Sequence, residues 1–252
     1  MPGNEIRISK YLSDVGIASR READRLIEAG KISIMPKGSS QKVKVKLGEK
    51  MQDGDRVFFG EKEIISQNQE KIYLMLNKPQ GLLCTADRRF GENVIDYVGL
   101  EQRVTYMGRL DKDSTGLLIL TNDGELNNAI MRSRHGHEKE YAVTVNKTIT
   151  EDFIKKMQKG VVISLPDKDH IEHSVRTRPC SVKKTGDKTF NITLTQGLNR
   201  QIRRMCKTLG YKVTKLHRFR IGNLIMENLP NGSWRYLTKE ETASLKQLAA
   251  EE

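Results

Sequence analysis

Three aspartates lie in the segment 106–126, YMGRLDKDSTGLLILTNDGEL, and they bracket its apolar run. They are Asp111, Asp113 and Asp123. Carboxylates that flank a buried strand can be metal ligands, a nucleophile for phosphoryl transfer, a general base, or residues of simple turns. The spacing is compatible with all four, so the rest of the chain must distinguish them.

Phosphoryl transfer is suggested by the run LDKDSTG, which is similar to the D-x-D-x-T nucleophile loop of the haloacid-dehalogenase-like phosphatases. Those enzymes need an apolar strand that leads into the first aspartate, and Gly108 and Arg109 interrupt such a strand here. They also need a later acidic pair for magnesium, whereas the C-terminal half carries a basic block. Short patterns of this kind arise by chance, so the sequence disfavours this chemistry.

A metal site would need histidines beside Asp111. His135 and His137 lie two residues apart, and His170 and His173 could face each other across a turn. Neither pair belongs to the tight ligand set that strong zinc patterns show. We therefore expect no metal, and we expect the histidines to lie on the surface.

Composition indicates a protein with a polar surface and an anionic partner. The chain has 252 residues, enough for one large domain or two modest ones, and its formal net charge is +12. Such a charge points to a polyanion, most often nucleic acid. No apolar run reaches the length of a membrane span, and the start MPGNEIRISK lacks the apolar stretch of a secretory signal. We expect a cytoplasmic protein with no membrane partner.

The cysteines support the same compartment. They are odd in number, lie far apart and form no C-x-x-C pair: Cys84, Cys180 and Cys206. This pattern predicts reduced thiols of a cytosolic protein rather than a disulfide framework or a zinc site.

One stretch of the chain is basic without interruption, because no acidic residue lies between Asp187 and Glu227. It contains Arg200, Arg203, Arg204, Lys207, Lys212, Lys215, Arg218 and Arg220. A face that only contacts solvent usually interleaves both signs of charge. The block therefore predicts a track for the phosphates of RNA.

Residues 1–64 are predicted to form a small module of two short helices and several strands. Ser19 and Glu22 form a capping box at the second helix, KISIM alternates as a strand, and residues 53–55 form a turn between two further strands. RISKYLSDVGIASRREADRLIEAGKISI and KLGEKMQDGDRV resemble the S4 RNA-binding domain, although MPKGSSQKVKV is longer than the short Asn-Gly turn usual there. The resemblance implies RNA contacts, for which the exposed basic side of the second helix offers Arg20, Arg21 and Arg25.

The polar stretch 65–71 is the predicted linker, and residues 72–252 form the predicted second domain. Alternating strands recur at YAVTVN, GVVISL, HSVRTRPCSVKK and FNITLTQ, and helical segments occur near EDFIKKMQKG and RQIRRMCKTLG. Thr238 and Glu241 form a capping box at a terminal helix. The predicted fold class is α+β, with a mixed, mostly antiparallel β-sheet and packed helices after the small N-terminal module.

Four segments of the second domain occur in an order that matches one enzyme family. GRLDKDSTGLLILTNDG resembles the catalytic motif of the pseudouridine synthases, in the branch typified by RsuA and RluF. HEKEYAVTVN resembles their second motif, QGLNRQIRRM their third, and KLHRFRIGNL the segment that follows. With the S4-like module, the resemblance covers nearly the whole chain. It implies an enzyme that isomerises uridine in RNA to pseudouridine with no cofactor and no metal.

The resemblance also implies roles for individual residues. Asp111 would be the catalytic carboxylate, acting either by covalent attack on the nucleoside or by abstraction of a ribose proton. Both roles need an ionised carboxylate, for which Arg203 is the candidate partner through a charge-assisted hydrogen bond. Tyr141 is the candidate for stacking on uracil and for removal of the C5 proton, with core packing as the alternative. Arg109 would act as a wedge or phosphate contact when the uridine is flipped out.

The remaining expected substrate contacts are Leu110, Lys139, Arg200, Arg204 and Arg218. Asp113 is expected to brace the loop, and Asp123 is expected to be a turn residue.

The expected partner is RNA, either 23S ribosomal RNA or a ribosome-assembly precursor, with a tRNA loop as the other candidate. A monomer is expected. The alternative function is a non-enzymatic S4-type RNA-binding or ribosome-assembly factor whose second domain has decayed. The candidate site distinguishes the two functions. Asp111, Tyr141 and Arg203 are all present, and a decayed catalytic domain would not be expected to keep all three.

Overall fold

The computed structural model describes residues 5–65, 70–132, 136–167, 169 and 171–250. The chain divides into two compact units, Met1–Lys71 and Ile72–Glu252. Within the predicted linker 65–71, residues 66–69 lie outside the described part. Over the described ranges, no helix combines the length and apolarity that crossing a membrane requires. The three cysteines are free thiols.

The first unit consists of short strands and two helices. In chain order they are β1 (Ile6–Arg7), α1 (Ile8–Asp14), α2 (Arg20–Glu28), β2 (Ile32–Met35), β3 (Val43–Lys44), β4 (Lys50–Met51), β5 (Arg56–Phe59) and β6 (Lys62–Ile64). One sheet has the order β3-β2-β5-β6, and β1 pairs with β4 in a second sheet. The two helices and the strand β2 lie where the sequence predicts them.

The turn at residues 53–55 joins strands of different sheets, because β4 pairs with β1 whereas β5 pairs with β2. The Asp55 carboxylate explains this arrangement. One of its oxygens accepts a hydrogen bond from the backbone N–H of Gln52 at 2.8 Å, and the other accepts from that of Lys37 at 3.0 Å. The turn is thus tied to a neighbouring loop rather than closing a hairpin.

Helix α2 begins at a side-chain cap, as its sequence predicts. The Glu22 backbone N–H donates to Ser19 Oγ at 3.2 Å, which satisfies one of the otherwise unpaired N–H groups of the first turn. Ala23 and Ile27 are buried in one apolar cluster with Ile8 and Leu12 of α1. The opposite side of α2 stays exposed.

The second unit is larger and is built on one extended sheet. Its elements are β7 (Tyr73–Lys78), α3 (Val94–Val98), β8 (Thr105–Met107), β9 (Thr115–Thr121), α4 (Gly124–Arg132), β10 (Lys139–Val145), α5 (Glu151–Gln158), β11 (Val162–Pro166), β12 (Glu172–Arg176), β13 (Ser181–Gly186), β14 (Thr189–Leu194), α6 (Gln201–Thr208), β15 (Val213–Ile221), β16 (Leu224–Ile225), β17 (Trp234–Tyr236) and α7 (Lys239–Ala250). A 3₁₀ turn lies at Arg88–Phe90.

The sheet has the order β13-β14-β10-β15-β9-β7-β17, with β8 beside β9 and β16 beside β15. Its described pairs are antiparallel apart from β15 with β9, which is parallel. Strands β11 and β12 form a separate antiparallel ribbon. The predicted fold class, a mixed and mostly antiparallel sheet with packed helices, is confirmed.

The central strands β7 and β9 are apolar along most of their length because both of their faces are buried. On one face, Leu118 and Leu120 share a cluster with Val94 and Val98 of α3. On the other face, Leu117 and Ile119 share a cluster with residues of α4 and α7. This two-sided burial accounts for the run GLLIL, where an alternating pattern would indicate a half-exposed strand.

A third cluster lies under β10, β14 and β15. Phe153 of α5 packs edge-on against Phe190, with ring centroids 5.5 Å apart, and lies 4.3 Å from the ring of Tyr211. Ile202 and Met205 of α6 are 4% and 0% exposed, so they anchor that helix in this cluster.

Asp123 was predicted to be a turn residue, but it begins the helix α4. Its Oδ1 accepts from the backbone N–H of Leu126 at 3.1 Å, and its Oδ2 accepts from the Tyr73 hydroxyl at 2.7 Å. The Asn-Asp-Gly sequence is typical of a turn, but here the aspartate caps α4.

The terminal capping box is confirmed in both directions. The Thr238 backbone N–H donates to Glu241 Oε2 at 2.8 Å, and the Glu241 N–H donates to Thr238 Oγ1 at 3.2 Å. Arg235 on β17 also donates to both carboxylate oxygens of Glu241, at 2.6 and 2.7 Å. This bidentate pair fixes the start of α7 against the edge of the sheet.

The parallel pair β9–β15 depends on a glycine. Gly116 lies opposite Arg218 in this register and has φ of 107°, a conformation that side-chain-bearing residues rarely adopt. A Cβ at this position would lie 2.1 Å from the carbonyl oxygen of Arg218 and 2.7 Å from its nitrogen. Only glycine allows the two backbones to come this close.

Gly116→Ala is therefore expected to reduce the free energy of unfolding by about 3 kcal/mol or more, from backbone strain and the steric clash together. Gly81 is a matched control, because its φ is 98° and nothing lies within 4 Å of the position that a methyl group would take there. Gly81→Ala should cost about 1 kcal/mol, the backbone component alone. Urea unfolding of both variants measures the difference, and equal losses would contradict the steric role of Gly116.

Candidate active site

Asp111 lies in the loop between β8 and β9. Leu110 beside it is buried with the cluster under α3, and its backbone N–H donates to Cys84 Sγ at 3.4 Å. The Ser114 N–H donates to the Asp111 carbonyl at 3.1 Å, which closes a turn. These contacts anchor the loop backbone on both sides of Asp111, whose side chain is 28% exposed.

Two arginines face the Asp111 carboxylate. Arg200 Nη1 lies 3.4 Å and Arg203 Nε 3.7 Å from Asp111 Oδ2. Both contacts are ion pairs, and the Arg203 contact is too long for the predicted charge-assisted hydrogen bond. Arg200 was predicted to contact only the substrate, but its guanidinium lies closer to the Asp111 carboxylate than that of Arg203 does.

Helix α6 explains why both arginines reach one carboxylate. Residues three apart at the start of a helix lie on the same side, so Arg200 and Arg203 point the same way. Arg200 precedes the helix in a left-handed conformation with φ of 50°. Such strain in a non-glycine residue is often found at functional sites.

The two guanidinium groups have different surroundings. Arg203 is 14% exposed, and its Nη2 donates to the Asp113 carbonyl at 3.1 Å and to Ser114 Oγ at 3.4 Å. Its Nη1 donates to the Val213 carbonyl at 3.4 Å. Arg200 is 41% exposed, and within the described residues its guanidinium has only the ion pair with Asp111. Arg203 is thus fixed in the protein, whereas Arg200 borders solvent. Asp113 was predicted to brace the loop; the contact with Arg203 uses its backbone oxygen and not its carboxylate.

Lys78 is a buried cation that the sequence reading missed. Its side chain is fully buried at the end of β7, and Nζ donates to the carbonyls of Ser114 at 2.9 Å, Pro79 at 3.0 Å and Lys112 at 3.4 Å. Burial lowers the pKa of Lys78, and the nearby acidic groups, which include Asp111, oppose that change. The bonds to Lys112 and Ser114 pin the loop that carries Asp111. A lysine ending the apolar strand YLMLNK was the available signal.

Tyr141 and Lys139 come from β10. Tyr141 is partly buried and packs against two of the apolar clusters, so the predicted core contacts and a place in the site coexist. Lys139 Nζ donates to the His137 carbonyl at 3.0 Å. Burial, with the charge of Arg218, lowers the pKa of Lys139.

A cavity of about 650 Å³ lies over the Asp111 loop. Among the predicted catalytic and substrate residues, its wall includes Arg109, Leu110, Asp111, Lys139, Tyr141, Arg200 and Arg218. Arg203 and Arg204 do not line it. The cavity brings together one carboxylate, one aromatic ring and several cations, an arrangement suited to a small planar group attached to an anionic chain.

Arg204 has a different environment from the predicted one. Its guanidinium donates to the Ser164 carbonyl at 2.7 Å and to the carbonyl of Asn199 at 3.2 Å, so it ties the β11–β12 ribbon to the start of α6. Its predicted contact with substrate stays a prediction.

The basic block is not a continuous surface track. Arg218 is 2% exposed, and its Nε donates to the Leu117 carbonyl at 2.9 Å. Arg220 donates to Glu140 and Glu138, both at 2.9 Å. The acidic partners come from β10 and the residue before it, which are distant in sequence. The charge pattern could therefore not reveal that Arg220 is paired with carboxylates, nor that Arg218 is buried.

The other predicted RNA contacts are exposed side chains. Arg109 is exposed beside Asp111 at the rim of the cavity. In the first unit, Arg20, Arg21 and Arg25 lie along α2, and Arg25 pairs with Glu22 at 3.4 Å. These assignments stay predictions.

Across the described ranges, no group of three or more histidine, cysteine or acidic side chains is placed to hold a metal ion. His173 pairs with Asp167 at 2.8 Å on the ribbon. His135 and His170 of the metal hypothesis lie outside the described residues.

The site can be compared with known proteins. A family profile described as RNA pseudouridylate synthase matches residues 72–208. Dual-specificity RNA pseudouridine synthase RluF of Escherichia coli (strain K12) is 44% identical over 249 residues, which cover 98% of this chain and 81% of the relative. Ribosomal large subunit pseudouridine synthase B of Bacillus subtilis (strain 168) is 31% identical, with 96% of each chain covered.

The fold gives the same result. A crystal structure of a pseudouridylate synthase superimposes with a TM-score of 0.65 at 28% identity, and the match covers 95% of this chain and 99% of that one. Profile, sequence and fold agree with the resemblance seen in the motifs. The chain belongs to the RNA pseudouridylate synthase family, enzymes that isomerise uridine in RNA to pseudouridine.

Proposed function

We propose that this protein converts a uridine of large-subunit ribosomal RNA to pseudouridine, with Asp111 as the catalytic carboxylate. The observation that carries the proposal is the Asp111 carboxylate in the wall of a cavity, paired with two arginines and accessible from the open side. The name of the Bacillus subtilis relative supports ribosomal large-subunit RNA as the substrate class. A tRNA loop is the second candidate.

The surroundings of Asp111 suit either of its two possible roles. Two arginine side chains lie within 4 Å of the carboxylate. Its Oδ2 lies 3.4 and 3.7 Å from those cations, so no tight hydrogen bond holds it away from substrate. An accessible carboxylate oxygen can attack the sugar carbon or take a ribose proton.

We assign the two arginines different roles. Arg203 is immobilised by Asp113, Ser114 and Val213, so it is the permanent counter-ion of Asp111. Arg200 is exposed and has no competing acceptor among the described residues, so it can leave Asp111 for a phosphate of the RNA.

The other site residues fit contacts with a flipped nucleotide. Tyr141 offers a ring for stacking on uracil and a hydroxyl for removal of the C5 proton. Arg109, at the rim, is suited to occupy the space that the flipped base leaves or to contact a phosphate. Leu110, Lys139 and Arg218 complete the wall around the base.

Asp111→Asn should reduce pseudouridine formation by about 10⁴-fold or more, because an amide is a poor nucleophile and a poor base. RNA binding should change by a few-fold at most. The measurement is reverse-transcription mapping after incubation with unmodified ribosomal RNA and transfer RNA, which also locates the target uridine.

Asp113→Asn is the matched control, since it makes the same chemical change two residues away, at an exposed carboxylate that accepts no hydrogen bond among the described residues. This variant should keep its activity. Full activity in Asp111→Asn would refute the catalytic assignment. A wild-type protein that binds RNA but forms no pseudouridine would favour the non-enzymatic assembly factor.

Replacing each of the two arginines by methionine, which roughly keeps the side-chain length and removes the charge, should affect different kinetic constants. Arg203→Met should lower kcat by about 100-fold, because the charge of Asp111 loses its fixed partner. Arg200→Met should raise KM for RNA by about tenfold with little change in kcat, as expected for a lost phosphate contact. Steady-state and single-turnover kinetics distinguish the two, and the reverse pattern would contradict the assignment.

The S4-like unit is proposed to contact RNA phosphates through α2. Arg20→Gln combined with Arg21→Gln should weaken binding and lower the slope of log K against log salt by about 1.5, the release of counterions from roughly two phosphates. Arg56→Gln is the control, because Arg56 is an exposed arginine of the same unit that already pairs with Glu63. Equal salt slopes for the double variant and the wild type would argue against this surface.

A further inference from the structure

Arg218 is a buried cation with part of its hydrogen-bonding capacity unused. It is 2% exposed, and its Nε donates to the Leu117 carbonyl at 2.9 Å. Its Nη2 is buried and has no acceptor among the described residues. Leaving a buried donor of a charged group without an acceptor is costly, and a catalytic role is one explanation for such a group.

The position of Arg218 in the sheet identifies that site. On β15 it lies opposite Tyr141 of β10 on one side and opposite Gly116 of β9 on the other. The three residues thus form one row across the sheet. Arg218 and Tyr141 both line the cavity that holds Asp111, so the Arg218 side chain borders the wall where the base would stack.

The charges around the cavity favour an acceptor that becomes negative. Lys139 lines the same wall, and its Nζ has one bond, to the His137 carbonyl at 3.0 Å. The charge of Asp111 is already shared by Arg200 and Arg203. Lys139 and Arg218 are therefore positive charges with no carboxylate partner among the described residues, and a preorganised cation stabilises charge that develops during a reaction.

Uracil develops such a charge in this isomerisation. The C1′–N1 bond breaks, its electron pair stays with N1, and the negative charge spreads over N1, O2 and O4. At the sugar, Asp111 either bonds to C1′ or takes the C2′ proton, which leaves a C1′=C2′ double bond. The C5 atom then bonds to C1′ and Asp111 is released or returns the proton. Finally C5 loses its proton and N1 gains one, so all atoms are conserved.

We propose that Arg218 is a catalytic residue whose guanidinium donates to a carbonyl oxygen of the target uracil and stabilises the uracil anion after the C1′–N1 bond breaks. This inference rests on the proposed function, and it adds the leaving group to a site in which Asp111 acts on the sugar. Both routes open to Asp111 produce the same anion, so the role of Arg218 does not depend on the choice between them.

The experiment compares single-turnover rates on RNA that carries uridine, 2-thiouridine or 4-thiouridine at the target position. Sulfur is a weaker hydrogen-bond acceptor than oxygen, so the RNA with sulfur at the contacted position should react about tenfold more slowly with the wild type. Arg218→Met should lower the rate on uridine by about 100-fold. In that variant the sulfur effect should disappear, because the donor that sensed it is gone.

Arg220→Met is the control on the same strand. The Arg220 guanidinium is bonded to Glu138, Glu140 and the Gly222 carbonyl and does not line the cavity. This variant should keep the full sulfur effect. Arg218→Lys keeps the charge and should recover part of the rate that Arg218→Met loses, which a purely structural role would not explain.

Two results would overturn the proposal. One is an undiminished sulfur effect in a folded Arg218→Met protein, as judged by circular dichroism and RNA affinity. The other needs no variant: wild-type rates that are equal on all three RNAs would exclude a carbonyl contact. Failure of the proposed function is distinct from both, because the wild type would then form no pseudouridine on the uridine RNA.

Discussion

The structure of the site depends on the close approach of β9 and β15 at Gly116. Strand β9 leaves the loop that carries Asp111, and β15 carries Arg218, whose carbonyl oxygen occupies the space that a Cβ at position 116 would need. The two strands run parallel over a short register, in a sheet whose other described pairs are antiparallel. Because β10 lies next in order, this contact also fixes the distance between the Asp111 loop and Tyr141.

The second constraint is the cost of placing several charges in a partly buried region. Lys78 and Arg203 offset this cost by donating hydrogen bonds to backbone carbonyls of the Asp111 loop. Both cations thereby support that loop structurally. A buried charge that is hydrogen-bonded in this way is tolerated, whereas one without acceptors is not. The site is therefore rigid on the protein side, and Arg200 and Arg109 remain exposed on the side from which RNA would approach.

The sequence predicted the fold class, several helix caps and the family, because these depend on local patterns. Ser19 and Thr238 cap their helices through contacts within four residues, and the strand GLLIL is apolar enough to identify by itself. The helix after Asp123 was missed, since Asn-Asp-Gly also suits a turn. The burial of Arg218 was missed as well, because its acceptor at Leu117 lies 101 residues away in sequence. A basic block looks the same in sequence whether its side chains face solvent or line a cavity.

The three aspartates of the segment show how neighbours assign different roles to one residue type. Asp111 faces two cations and keeps a partly exposed carboxylate, which makes it available for chemistry. Asp113 contributes its backbone oxygen to Arg203, so a different side chain there could do the same work. Asp123 accepts from Tyr73, and burial together with this carboxylate raises the pKa of the Tyr73 hydroxyl, which therefore stays a neutral donor. The Asp123 carboxylate thus joins α4 to β7, whereas the Asp111 carboxylate forms ion pairs with Arg200 and Arg203.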